Sequence, residues 1–234
     1  MNKICAFLLA ISLFCVVCNG EVSVNENDEN SNRFVIRENG KYGYMDKDGN
    51  VVVNPQFDWA KSFSEGLAGV SIGGRYGYVD KDGKYVINPQ FDSAGDFSEG
   101  LAEVSIGGRY GYVNKDGKYV INPQFALADP FSEGLARVRI GDLGNGKYGY
   151  IDKNGKYVIN PQFDLAMFFS EGLVGVRFGD YKTGKWGFID KDGKIVINPQ
   201  FDDVYPFSKG LARVSIGGKW AYIDKTGKMV WKEK

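Results

Sequence analysis

The sequence predicts an all-β protein built from repeats, because three short patterns recur at nearly constant spacing from about residue 40 to the C-terminus. An aromatic-Gly-aromatic triplet has its glycine at positions 43, 77, 111, 149 and 187, with spacings of 34, 34, 38 and 38 residues. An NPQF tetrapeptide follows each triplet, and an SEGL tetrapeptide lies between successive copies. Such self-similarity is typical of repeat proteins, in which each unit contacts mainly its neighbours.

Each unit is predicted to form a three-stranded antiparallel meander. In the first copy, residues 34–36 are the first strand and residues 42–46 the second. Residues 46–49 (DKDG) predict a type I turn with a glycine bulge, because Asp suits its first position and Gly its fourth. The third strand, such as residues 84–87, is expected to end at the proline of NPQF, because proline cannot donate a ladder hydrogen bond.

Side-chain alternation in the second strand places Tyr76 and Tyr78 on one face and Gly77 and Val79 on the other. A glycine inside a strand weakens it, so its recurrence needs a reason. We expect an aromatic ring from the connector or the next unit to pack closely against the bare backbone at Gly77.

The connector between units has a different period. Phe91, Ala94, Phe97 and Leu101 are three, three and four residues apart, which favours a helical turn or a compact bend. Both phenylalanines and the leucine are expected to fill the space between neighbouring units.

Six meanders alternating with five connectors predict an open superhelical array with a complete sheet at each end. A six-bladed β-propeller is the alternative. Propellers commonly have four-stranded blades and often complete one blade from both termini, and neither sign is visible in the sequence.

These motifs resemble the WG-repeat family of bacterial proteins, which have a Trp-Gly or Tyr-Gly pair followed by an Asp-Lys-x-Gly turn. Residues 185–193 (KWGFIDKDG) show the match most clearly, and the resemblance covers about residues 33–231. Most copies have Tyr in place of Trp, and the last has Ala221 in place of Gly. The resemblance implies an all-β repeat scaffold over residues 33–234, often exported and usually without an assigned activity.

Residues 1–20 are predicted to be a signal peptide, because Lys3 precedes an apolar run, residues 4–17, that is short for a permanent membrane helix. Small residues at Cys18 and Gly20 suit cleavage before Glu21 and simple secretion. Alternatively, Cys18 is the lipidated first residue of a lipoprotein. The acidic, aromatic-free residues 21–32 are expected to be a disordered tether, which suits an anchored domain.

The residue inventory argues against catalysis and cofactors. The chain has no His, and its three cysteines, at positions 5, 15 and 18, all precede the repeats, so the repeats lack a thiol nucleophile and a Cys-based metal site. The zero net charge argues against a nucleic-acid partner. Asp80 and Asp82 recur with the turn, so we interpret them as structural, and the Glu of a calcium loop is missing after Gly83. We therefore expect a non-enzyme without metal or cofactor.

The leading hypothesis is an exported scaffold that binds a protein partner at the cell envelope, whether secreted, periplasmic or lipid-anchored. The alternative is a module that binds envelope glycans or cell wall through exposed rings. Its candidate ligand-binding residues are the aromatic pairs of the second strands: Tyr76, Tyr78, Tyr110, Tyr112, Tyr148, Tyr150 and Trp186. Specific function is expected where the copies differ, in the loops at residues 141–147 and 179–185 and at the connector positions Trp59, Ser93, Leu127, Leu165 and Asp203.

Overall fold

A computed structural model describes residues 32–141, 145–179 and 183–234. The predicted signal peptide, with Cys18, and all but the last residue of the predicted tether lie outside these residues. The described residues form strands and turns, and none of them belongs to a helix that is long and apolar enough to cross a membrane. The all-β prediction is therefore confirmed for the described part of the chain.

The described residues contain 22 strands, most of them five to seven residues long. In chain order they are β1 (Phe34–Glu38), β2 (Lys41–Met45), β3 (Val51–Phe57), β4 (Trp59–Ala60), β5 (Ala68–Ile72), β6 (Arg75–Val79), β7 (Tyr85–Phe91), β8 (Ser93–Ala94), β9 (Leu101–Ile106), β10 (Arg109–Asn114), β11 (Tyr119–Phe125), β12 (Leu127–Ala128), β13 (Ala136–Ile140), β14 (Lys147–Ile151), β15 (Tyr157–Phe163), β16 (Leu173–Phe178), β17 (Lys185–Asp190), β18 (Ile195–Phe201), β19 (Asp203–Val204), β20 (Leu211–Ile216), β21 (Lys219–Asp224) and β22 (Met229–Lys232).

These strands form six antiparallel sheets in chain order, which we call units 1 to 6. Unit 1 contains β1–β3, unit 2 β4–β7, unit 3 β8–β11, unit 4 β12–β15, unit 5 β16–β18 and unit 6 β19–β22. The three long strands of each unit were predicted. The fourth strand of units 2, 3, 4 and 6 was not, and the prediction of a helical turn in the connector is wrong. Two connector residues instead pair with the first long strand, as Trp59 does with Ser71.

The predicted hairpin turn is confirmed in its details. In unit 2 the Gly83 nitrogen donates to the Asp80 carbonyl at 2.9 Å, and Gly83 has a φ of +79°. The Asp80 carboxylate accepts from the backbone nitrogens of Asp82 and Lys84 at 3.0 and 2.9 Å. An Asp or Asn side chain can satisfy turn donors in this way, so the recurring carboxylate has a structural task.

The NPQF segment does not end the third strand, contrary to the prediction. In unit 3, β11 continues through Pro123 to Phe125, and the register shifts between the pairs Tyr112–Ile121 and Tyr110–Phe125. This is a bulge, where proline is tolerated within a sheet. A Cβ on Gly111 would lie 2.4 Å from the Ile121 carbonyl oxygen. The glycine thus makes room for backbone of its own sheet, and the predicted aromatic ring is not what approaches it.

The core lies between units. Tyr78, Ile87 and Phe91 of unit 2 pack against Phe97 and Val104 of unit 3, and all five are buried. The same arrangement recurs at every junction, with the Tyr or Phe ring 4.8–5.0 Å from the connector Phe ring. Burial of one such Phe contributes about 2–3 kcal/mol. The prediction that the connector phenylalanines fill the space between units is confirmed.

The SEGL turns join the units by polar contacts. Glu99 has a φ of +53°, which is unusual for a residue other than glycine. Its carboxylate accepts from the Gly134 nitrogen of the next unit at 3.1 Å and pairs with Lys153 at 3.1 Å. Equivalent ion pairs join Lys115 to Glu65, Lys191 to Glu133 and Lys225 to Glu171. The ionised side chain thus compensates for the strained backbone by binding the next unit.

The array is open within the described residues. A Cβ on the turn glycine of units 2 to 6 would contact a Val or Ile of the preceding unit, whereas a Cβ on Gly49 of unit 1 would have no neighbour within 4 Å. At the other end, Trp231 takes the position of Ile197 but is 52% exposed, against 3% for Ile197. A closed ring would bring these two ends together and cover both, so the predicted open array describes the fold.

Candidate functional site

The aromatic pairs of the second strands are divided between the core and the surface. Tyr78, Tyr112 and Tyr150 are fully buried, so these three rings do not have the solvent exposure that the alternative glycan-binding hypothesis requires. The Tyr112 hydroxyl donates to the Asp129 carbonyl of the next unit at 2.7 Å, and Tyr78 and Tyr150 make the equivalent bond. Burial raises the pKa of all three phenols. These rings hold successive units together.

Three of the other four candidate rings lie nearer the surface. Tyr76, Tyr110 and Tyr148 are half-buried, and Trp186 is buried. The three tyrosines lie in the same row as the short fourth strand of their own unit, as shown by the ring contact between Tyr76 and Trp59 at 6.0 Å. Only the three tyrosines therefore retain some of the exposure that ligand stacking requires.

This row belongs to a surface that we call the short-strand edge. In unit 2 it is formed by Trp59 and Lys61 of the connector, Gly69 and Ser71 of β5, and Tyr76 of β6, which are cross-strand neighbours. The residues at the equivalent positions form the same edge in units 3 to 6. Unlike the residues of the core, they differ between units in size and charge.

The differences at this edge are compensated within each unit. The residue at the position of Lys61 is hydrogen-bonded through its backbone to the residue at the position of Gly69. The pairs are Lys61 with Gly69, Gly95 with Glu103, Asp129 with Arg137, Met167 with Gly175, and Tyr205 with Arg213. In three of these pairs a longer side chain faces a glycine. In the other two, an arginine faces an aspartate or a tyrosine ring. Each unit therefore keeps the same backbone while it presents a different surface.

Units 4 and 6 carry cations against rings at this edge. The Arg213 guanidinium lies 3.9 Å from the centre of the Trp220 ring, and the Arg137 guanidinium lies 4.9 Å from that of Tyr148. Such contacts fix the side chains while leaving polar atoms available. Arg137 also pairs with Asp129, with Nε 2.7 Å from Oδ2.

A cavity of about 300 Å³ lies on the edge, over unit 3. Its lining comes from three units: Lys61 of unit 2; Ser93, Ala94, Gly95, Glu103 and Tyr110 of unit 3; and Leu127, Ala128 and Asp129 of unit 4. The cavity combines an apolar wall, one aromatic ring and several convergent polar groups, which is the usual composition of a binding site.

Glu103 is the most unusual residue of this cavity. Its carboxylate lies over Gly95, where a Cβ would be 1.8 Å from Oε1, and its Oε2 is shielded from solvent without a hydrogen-bond partner among the described residues. Burial raises the pKa of Glu103 to about 8; Lys61 opposes this shift, and Asp96 and Asp129 add to it. A raised pKa at a cavity marks a candidate functional group.

Glu103 and Gly95 were not among the residues predicted from the sequence. Ser93 and Leu127, two of the variable connector positions, line the cavity. The available signal was the alignment of the copies, in which Glu103 corresponds to Val35, Gly69, Arg137, Gly175 and Arg213. The middle residues of the two variable loops, 142–144 and 180–182, lie outside the described residues.

The fold and the edge define an all-β repeat protein whose units share a core and differ at one edge. Five copies of the family model for the WG containing repeat match the chain, at residues 42–76, 76–110, 110–143, 148–181 and 186–220. These matches cover more than half of the sequence, so the chain belongs to the WG containing repeat family. No curated protein matches the sequence.

Among solved structures, the chain is similar to Kluyveromyces lactis Hsv2, with a TM-score of 0.50 and 10% identity, covering 84% of this chain and 72% of that chain. It is also similar to KlHsv2 with loop 6CD replaced by a Gly-Ser linker, with a TM-score of 0.53 and 10% identity, covering 88% of this chain and 77% of that chain. At this identity the likeness shows an all-β repeat fold alone.

Proposed function

We propose that this chain is a non-enzymatic, exported repeat scaffold that binds a protein partner through its short-strand edge. One observation carries the proposal: the core residues recur in every unit, whereas the edge changes residue by residue on an unchanged backbone. Repeat arrays present extended surfaces of this kind, and residues freed from packing can be used for recognition.

The composition of the edge suits a protein partner better than a glycan ladder. It mixes rings, both signs of charge and aliphatic side chains, including Trp59, Leu127 and Arg213, and aromatic and Arg residues are enriched at protein interfaces. A glycan ladder needs rings repeated at the surface, and Tyr78, Tyr112 and Tyr150 are buried. The protein-binding proposal is therefore preferred.

An exposed apolar stripe on the third strands provides a matched control. The third strands expose Val86, Val120 and Val158, which are 43, 43 and 39% exposed and repeat in the same place on units 2 to 4. A repeated stripe can bind a partner too, but it cannot distinguish one unit from another.

The test compares two triple variants as bait in affinity capture from envelope extracts. Trp59→Ala, Leu127→Ser and Arg213→Ser change the edge, and Val86→Ser, Val120→Ser and Val158→Ser change the stripe. The proposal expects the edge variant to lose, at least tenfold, a partner that the stripe variant retains, with both variants folded by circular dichroism. Loss by the stripe variant alone, or capture that depends on an added peptidoglycan fraction, would overturn it.

Export is the part of the proposal that rests on the sequence alone. The mass of the mature protein from its natural host distinguishes a lipid-anchored protein from a freely secreted one. An acyl-modified Cys18 indicates a lipid-anchored scaffold, and an unmodified Glu21 indicates simple secretion. A mature chain that retains Met1 would contradict export.

A further inference from the structure

The cavity over unit 3 contains one acidic group without a compensating charge. Asp96 pairs with Lys61 at 3.1 Å, and Asp129 pairs with Arg137 at 2.7 Å. Glu103 has no ion pair among the described residues, and its Oε2 has no hydrogen-bond donor. A buried polar atom without a partner is rare in folded proteins and calls for an explanation.

The remaining walls suit an alkyl chain. Ala94, Leu127 and Ala128 provide aliphatic contacts, and the Tyr110 ring lies at the same cavity. An aromatic face attracts a cation, and lysine and arginine carry a charged head on an apolar stem. Because Asp96 and Asp129 are each paired with a cation, ionisation of Glu103 gives the pocket a net negative charge, which disfavours an anionic ligand.

We infer that this cavity receives the side chain of an arginine or lysine from the protein partner, with the cationic head at the Glu103 carboxylate and the stem against Leu127 and Tyr110. The inference rests on the proposed function and names the chemistry of its central contact. Arginine and aromatic anchors seated in such pockets commonly dominate the binding energy of protein interfaces.

Glu103 must be ionised to hold a cation, so binding is coupled to pH. The groups that face it are Lys61 and Asp96 from the connectors of units 2 and 3, and Asp129 from unit 4 with its partner Arg137. The buried hydroxyls of Tyr78 and Tyr112 also lie near this carboxylate. In the free pocket Glu103 keeps its proton up to about pH 8. As the pH is raised towards 8, cation affinity should therefore increase about tenfold per pH unit, and above pH 8 it should level off.

The probes are N-acetylarginine methylamide and N-acetyllysine methylamide, with N-acetylglutamine methylamide as the neutral control. Binding is measured by NMR titration of the Gly95 amide and the Glu103 side-chain carboxyl between pH 6 and 9. We expect the cationic probes to bind with the stated pH dependence. Glu103→Gln should weaken them at least tenfold at pH 8.5 and remove that dependence. Asp116→Asn, which removes one charge on an exposed turn of the same unit, should change neither the affinity nor its pH dependence.

Equal binding of the neutral probe, or unchanged binding to the Glu103→Gln variant, would overturn the inference. For both variants, the backbone amide spectrum outside the cavity must match that of the unmodified chain. This control distinguishes loss of the site from loss of folding. If Glu103→Gln captures the partner as well as the unmodified chain while the edge triple variant does not, the pocket inference fails and the scaffold proposal stands.

Discussion

The junctions between units and the short-strand edge are built on the same strands yet follow opposite rules. At the junctions, Tyr112 and Phe131 have equivalents in almost every unit, and the two rings pack together in the same buried cluster. At the edge, the positions of Gly95 and Glu103 are filled by a different pair in each unit. The junction residues cannot change singly because they fit the next unit, whereas the edge residues change together because they compensate each other within one unit.

Removal of a ring at a junction should give the largest effect on stability. Phe131→Ala leaves a cavity against the fully buried Tyr112 ring, and such truncations cost about 3–5 kcal/mol. Chemical denaturation measures the loss. Leu127→Ala at the edge is the matched control, and it should cost clearly less because Leu127 is only half-buried. Equal losses would mean that the edge contributes to the core as much as the junction does.

Gly111→Ala should give the next largest effect. Its Cβ would lie 2.4 Å from the Ile121 oxygen and 2.6 Å from the Pro123 nitrogen, so the bulge must shift at a cost of about 3 kcal/mol.

The last unit of the chain provides the control for this prediction. Ala221 occupies the equivalent position, where β22 has no NPQF bulge and Ala221 pairs directly with Lys232. Ala221→Gly should therefore change the free energy of unfolding by only about 1 kcal/mol. If both substitutions cost the same, the bulge is not the reason for the glycine.

At the edge, Glu103→Gln should change how stability depends on pH. The pKa of Glu103 is raised to about 8 in the fold from an ordinary value of 4.5, so the fold retains its proton after the unfolded chain has lost it. This contribution is complete below pH 4.5 and is lost as pH rises to 8, at up to about 1.4 kcal/mol per pH unit.

Thermal unfolding at a series of pH values tests that sign. The variant should be as stable as the unmodified chain near pH 4.5 and more stable than it at pH 8.5. Parallel curves for the two proteins across this range would show that the carboxylate is not protonated in the fold.

The smallest effect is expected from the ion pairs between units. Lys153→Met removes the partner of Glu99, both side chains being partly exposed, and exposed pairs contribute about 0–1 kcal/mol. Denaturation at low and high salt measures it, and the difference between the two proteins should shrink with salt. A loss near that of Phe131→Ala would make charge, and not ring packing, the main link between units.

Repetition made much of the fold predictable. The Asp-Lys-x-Gly turns, the three long strands and the burial of the connector phenylalanines follow from local sequence patterns that recur from copy to copy. The short fourth strand, as at Trp59, was missed because two residues carry no periodicity. The bulge at Pro123 was missed because proline usually ends a strand. Gly111 in β10 makes room for this bulge in β11, and that contact is visible only when the two strands lie side by side.

The site was less predictable, for a physical reason. Alternation in β10 correctly put Tyr110 and Tyr112 on one face, but one is half-buried and the other is fully buried. Which ring is covered depends on where the next unit lies, and strand periodicity contains no such information. Glu103 likewise gave no signal in its own strand, since its pKa is raised mainly by burial, which depends on the residues packed around it in the tertiary structure.

The sequence by itself determined the unit, its turns, its number of copies and its membership of the WG containing repeat family, because these depend on contacts between residues that are near in the chain. Only the tertiary structure decided that the array is open, that Tyr78, Tyr112 and Tyr150 are internal, and that Glu103 has no ion pair among the described residues. Those properties depend on how one unit covers the next, and burial by a neighbour decides which residues of a repeated motif form the core and which form the edge.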